Sequence, residues 1–328
     1  MTSENPRFRL AVLELYIPVF LTVSVFLPYY FTVLAVLVTA VTILAHRGLR
    51  EHTFRMSGSR RLLAFLFIPF YVAVFHENIR GMMYAVLILA ATVCALYIKT
   101  SMTRRVYESL LDLSCACSVA CAGIAIAQKI AMWPSEPLFR PMSMFMNANY
   151  YGAMTVFMIL VALHRFFNRS KNRWVYGVTV LCNLVGLYLC ASMSALATMA
   201  FSVFILLLLE RRRRLAAILA LLVCVGGILV FFVPELYPRI DNVDVTFGNR
   251  LSIWKTAIKG IAQYPLLGRG AEAYPLVRAQ FGGYHTYHCH NLLLDLLLNF
   301  GILGTGGVAA FGLYKVRQLY LRYKKNIC

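Results

Sequence analysis

Two residues of this 328-residue chain combine a reactive type with a setting that suits chemistry, Arg250 and His290. Both lie in the stretch Pro234–Gly304, the one long polar interruption in an otherwise apolar sequence. Leu251, Trp254, Ile258 and Ile261 recur at helical spacing, which predicts an amphipathic surface helix over about 250–262. That boundary puts Arg250 at a helix N-terminus. Unpaired backbone N–H groups, the helix dipole and a guanidinium fork together suit a phosphate. An interfacial arginine touching lipid phosphates is the plainer reading. His290 opens the run His290-Asn291-Leu292-Leu293-Leu294, too short before Gly301 to span a bilayer, so a short re-entrant or surface helix is expected. A histidine there can act as general base on a sugar hydroxyl near neutral pH, or simply cap the helix. Between the two stands Tyr264-Pro265-Leu266-Leu267-Gly268-Arg269-Gly270, whose glycines allow a tight backbone and close approach to a ligand.

Other candidates are weaker singly. Arg140 is either a surface charge or an anion clamp, and Asn147 and Asn149 either cap the following helix or bind a sugar hydroxyl. His285, His288 and His290 do not follow a zinc spacing, so no metal site is expected. Cys115 and Cys117 are two apart and face different sides of a helix, and most other cysteines lie in apolar runs, where a thiol is a small hydrophobe.

The elements that must position these residues are membrane helices. The chain is 60% hydrophobic and 14% charged, with a mean hydropathy of +0.70. About ten spans can be placed, near 10–27, 29–46, 62–77, 80–98, 106–131, 148–166, two between 174 and 209 divided near Ala191–Ser194, 215–233 and 302–318. The first has no cleavage site after it and reads as an uncleaved anchor. The net charge of +19 falls in clusters between spans, which excludes nucleic-acid binding and fits orientation by the positive-inside rule. Both termini are then cytoplasmic and residues 234–288 extracytoplasmic. Six of the nine outer basic residues fall in that loop, where topology does not need them. The expectation is an all-α polytopic transmembrane bundle, residues 1–328 forming one membrane domain, with residues 234–301 as a catalytic loop. Ionisable residues are scarce deep in the spans, which counts against an ion-coupled transporter.

Taken together, Arg250 with Trp254, Pro265 to Gly270, His290-Asn291 and Gly301-Ile302-Leu303-Gly304 resemble the O-antigen ligase and Wzy-type O-antigen polymerase family. Upstream, Arg140 followed by Phe145-Met146-Asn147-Ala148-Asn149 is similar to the family's asparagine-pair segment, with Ala148 where a proline is common. The resemblance implies a metal-independent, inverting glycosyltransferase of the bacterial cytoplasmic membrane, working without a cofactor on its outer face. Its donor would be a polyprenyl-diphosphate-linked glycan and its acceptor a glycan or lipid, among membrane lipids and other polysaccharide-assembly proteins. Carried over by motif, Arg250 holds the donor diphosphate and His290 takes the acceptor proton, with Arg140, Asn147, Asn149, Arg269 and Asn291 binding substrate. The short chain favours polymerase over ligase. Family members often carry an arginine after the serine between the seventh and eighth spans, where this chain has Ala195, so Arg140 or Arg269 is expected to supply the second cation. The competing readings are a transporter or lipid-linked glycan flippase, from the span count, and a non-catalytic scaffold of an envelope assembly complex.

Overall fold

Apolar runs without strand-forming alternation fold as helices, and every regular element among the described residues of the computed structural model is helical. Those residues are 16–168, 172–233 and 243–325. The start of the first expected span, the opening of the long loop at 234–242 and both extreme termini lie outside them. Four described helices are long and apolar enough to cross a membrane: Ile79–Ser101, Arg104–Met132, Ala148–Asn168 and Leu292–Arg322. A fifth arises if Tyr29–Ala45 and Arg47–Thr53, sharply bent at their junction, form one span. The segment expected as a third span is instead two short helices, Ser59–Leu66 and Ile68–Phe75. Pro69 explains the break, since it has no N–H to offer the preceding turn and its ring crowds the carbonyl four residues back.

The chain packs as two compact units, Met1–Leu49 with Ile98–Ile240, and Arg50–Tyr97 with Asp241–Cys328. In the first, Ala148–Asn168 packs most extensively on Arg173–Leu189. Small residues let the helices close: a Cβ on Gly186 would collide with the Tyr151 hydroxyl. The two apolar helices Arg173–Leu189 and Met193–Leu209 are separated at Ala191, whose φ of 46° ends the first. Ala195, in the first turn of the second, is buried, and a Cβ on Gly152 would lie 3.0 Å from its own Cβ. At the position where the resemblance leads one to expect an arginine, this chain therefore makes a helix–helix packing contact.

The second unit holds the long loop, which is mostly helical: Val243–Gln263, then Tyr274–Phe281, then Leu292–Lys325 broken at Gly301. The amphipathic helix thus begins at least seven residues before the expected boundary at 250. Phe247 continues the apolar stripe back from Leu251, and its ring meets Trp254 edge-on at 6.5 Å. Arg250 consequently sits inside the helix, two turns from its start, and the helix-N-terminus part of the phosphate argument falls away.

The glycines close this unit on itself. The turn 264–270 and the break at Gly301 exchange backbone hydrogen bonds: Arg269 N donates to Leu298 O (3.1 Å), Gly270 N to Asn299 O (2.9 Å), Ile302 N to Pro265 O (2.7 Å) and Leu303 N to Leu266 O (3.1 Å). Gly301 has φ 63° and ψ −170°, and any Cβ there would strike Leu266 O. A Cβ on Gly268 would lie 2.5 Å from the Asn299 carbonyl carbon, and one on Gly270 2.8 Å from Ala73 Cβ. The close approach expected of this glycine motif is therefore between backbones of the protein, not to a ligand.

Gly301→Ala should lower stability by about 3 kcal/mol, combining a left-handed backbone cost with overpacking. Gly312→Ala, in the same helical segment with open space around it, should be neutral or stabilising by up to about 1 kcal/mol. Thermal unfolding of both variants in detergent reads the difference.

Candidate active site

Trp254 brings the two principal residues together. It stands one turn after Arg250, and its Nε1 donates to Cys289 O at 3.0 Å, one residue before His290. Cys289 is fully buried in the small core that also holds Ile253, Ala257, Tyr274, Val277 and Leu298. Its N–H donates to Asp295 Oδ1 at 2.8 Å. Burial, with Asp295 beside it, pushes the Cys289 thiol well above the ordinary thiol range, so it stays protonated and inert. The segment 282–291 is thus latched at Cys289 from both sides, by an indole and by a carboxylate.

His290 projects from this latch. Its φ of 51° is a left-handed conformation uncommon outside glycine. Its Nε2 lies 3.4 Å from Thr286 Oγ1, and its ring is 4.3 Å from that of His288. The helix after it is capped by Asn291, whose Oδ1 accepts from Leu293 N (3.0 Å) and Leu294 N (3.2 Å). Capping therefore belongs to Asn291 and leaves the His290 imidazole uncommitted to that task. Partial burial, then His288 and Arg250, hold His290 below the usual imidazole range, opposed by Asp295. At neutral pH the ring is the neutral form, able to accept a proton.

Arg250 is exposed, and its charge bears on the His290 ring. Arg269 is placed differently. It is only 9% exposed, its face lies over Tyr264 (4.6 Å), and its Nη2 donates to Gln263 and Gln280. Among the described residues its Nε finds no partner. His76, at the end of the segment expected as the third span, packs edge-on against Tyr264 at 4.4 Å. Burial first, and the Arg269 charge second, lower its pKa. These rings border a cavity of about 670 Å³ lined by Tyr71, Phe75, His76, Tyr264 and Leu267 among others.

The remaining expected residues lie in the first unit. Gln128 and Lys129 shape the loop after Arg104–Met132: Gln128 Oε1 accepts from Ser143 N (2.8 Å), and Lys129 Nζ donates to Pro137 O (2.7 Å) and Phe139 O (2.9 Å). That loop presents Arg140, whose Nε donates to Cys190 O and Nη2 to Asn149 Oδ1, both at 2.8 Å. Asn147 Oδ1 accepts from Asn149 N (2.9 Å) and Tyr150 N (3.0 Å), so it caps Ala148–Asn168. Ala148 is the first helical residue, a position that also suits proline. Arg140 and Asn149 are brought together here. Arg250, His290 and Asn291 are brought together in the other unit. Among the described residues, no three His, Cys, Asp or Glu side chains gather as a metal ion would require.

Removing a neighbouring cation should raise the His290 pKa, and removing an anion should lower it further. His288→Gln is therefore expected to move its titration to higher pH and Asp295→Asn to lower pH. NMR titration of the labelled histidine reads both shifts.

The family model described as O-antigen ligase matches residues 178–309, which contain Arg250, Arg269, His290 and the Gly301 break. This bears out the sequence resemblance over that segment, about two fifths of the chain. Searches of curated proteins and of solved structures give no significant match.

Proposed function

We propose, on the premise that residues 178–309 belong to the O-antigen ligase family, that this protein transfers or polymerises polyprenyl-diphosphate-linked glycan units on the outer face of the bacterial cytoplasmic membrane. The observation that carries the reading is the pairing of a cation with a neutral base: exposed Arg250 beside His290, held together by Trp254 and Cys289. His290 takes the proton of the acceptor hydroxyl. The acceptor oxygen attacks the anomeric carbon, the bond from that carbon to the diphosphate oxygen breaks, and the lipid diphosphate leaves from the opposite face, inverting the centre. Negative charge grows on the leaving diphosphate as the bond breaks, and Arg250 stabilises it where many glycosyltransferases use a divalent cation. The reaction is accordingly metal-independent. About ten spans with both termini inside would hold the 234–301 loop at the outer surface, next to a donor that never leaves the bilayer.

Supporting roles follow from what each side chain has left to offer. Asn291 fixes the start of the helix behind His290 through its oxygen and keeps its NH₂ for a sugar hydroxyl. Asn147 is in the same state. Arg140 and Asn149 form a polar pair suited to a glycan hydroxyl or an anionic sugar. Arg269 supports the turn beside the site from within.

The test is transfer by protein reconstituted with a polyprenyl-diphosphate oligosaccharide, followed by electrophoresis. A ladder of longer glycans is expected, unchanged by chelator, with the rate rising with pH and levelling at a pH below the usual imidazole value. His290→Ala should lower kcat by about 10²-fold or more, and Arg250→Gln by about 10²–10³-fold. Full activity in His290→Ala, or movement of the donor across the bilayer without any glycan transfer, would rule the reading out in favour of a transporter.

A further inference from the structure

A lipid diphosphate leaves with more charge than one guanidinium neutralises, and Arg250 alone is a thin site for it. Arg269 is poorly placed to help, being nine-tenths buried with Nη2 bound to two glutamine oxygens and its face covered by Tyr264. Arg278 has a buried Nε, and the Lys259 ammonium lies over Phe281. Arg80 differs from all three. It is exposed, its guanidinium carbon lies 4.8 Å from the centre of the Tyr287 ring, and no carboxylate binds it among the described residues.

That stacking has a chemical consequence. A guanidinium on an aromatic ring spends its face and keeps its five N–H donors in the plane, oriented but unused. Tyr287 belongs to the latched segment 282–291, immediately before His288 and three residues before His290. The backbone beneath Arg80 is also fixed in register with the glycine turn. Asn78 Nδ2 donates to Arg269 O (3.1 Å) and Ala271 O (2.8 Å), and its Oδ1 accepts from Gly81 N (2.8 Å). The approach is so close that a Cβ on Gly81 would lie 2.9 Å from Ala271 O.

We propose that Arg80 is the second guanidinium of the diphosphate site, held ready by the Tyr287 ring. This rests on the transferase reading above and extends its donor site to a residue outside the segment matched to the family. Arg80 reads the second phosphate, so its effect should distinguish a diphosphate from a monophosphate.

Full-length protein in nanodiscs is titrated with farnesyl diphosphate and farnesyl monophosphate by calorimetry. The wild type should bind the diphosphate more tightly. Arg80→Gln should weaken diphosphate binding about tenfold or more while changing monophosphate binding by no more than a few-fold. Arg80→Lys should fall between, and Tyr287→Leu should move in the same direction by less, which keeps the proposal testable if one variant fails to fold. Retention of the full diphosphate preference in Arg80→Gln, or equal loss for both ligands, overturns the role of Arg80 and leaves the transferase reading intact. A wild type that binds neither lipid and transfers no glycan overturns the transferase reading and this extension with it.

Discussion

The second unit depends on one constraint, the exchange of backbone hydrogen bonds between residues 265–270 and 298–303. Neither segment can complete a helix through its own glycine, so each would leave N–H and C=O groups unpaired in an apolar setting. Pairing them with each other resolves both breaks together. The interlock requires backbone-to-backbone approach that a Cβ forbids at Gly268 and Gly301. It fixes where Leu292–Phe300 begins and ends, and hence where Asn291 and His290 stand.

From that interlock the chemistry is reached in short steps. Asn299 Oδ1 also accepts from Ala273 N, which starts the Tyr274–Phe281 helix against the same frame. Leu298, Val277, Ile253 and Cys289 share one small core, so the helix carrying Arg250 and the segment carrying His290 are packed on common side chains. The Trp254 and Asp295 bonds to Cys289 then set the last few ångströms. His290 accepts a left-handed backbone in exchange, a cost of order 1–3 kcal/mol that the surrounding bonds must offset. Strain of that kind is affordable only on a framework whose geometry is already fixed.

Much of this was legible in the sequence, and the failures have physical causes. The helix break at Ala191 followed from small polar residues in an apolar run too long for one crossing. Arg250 stands out because outer basic residues serve no topological purpose, and His290 because a histidine opens an apolar run too short to span. The amphipathic helix starts further back than the stripe Leu251 to Ile261 predicts, because Phe247, four residues before Leu251, already carries that stripe. Gly268 and Gly270 announce close approach without naming the partners, Asn299 and Ala73, which lie about thirty residues or more away in the chain. Arg80 gave no local sign at all, since Tyr287, the ring that orients it, is on the far side of the sequence. Ala195 was conspicuous for a missing charge, and the structure shows a packing contact with Gly152 in its place.

In the proposed reaction a lipid diphosphate rests between Arg250 and the His290 segment. Electron cryomicroscopy of the protein in a nanodisc with a polyprenyl diphosphate tests it directly. The account predicts phosphate density within hydrogen-bond reach of the Arg250 guanidinium, with the His290 ring facing the space beside it. Diphosphate density held elsewhere, with Arg250 and His290 both turned to solvent, would contradict it.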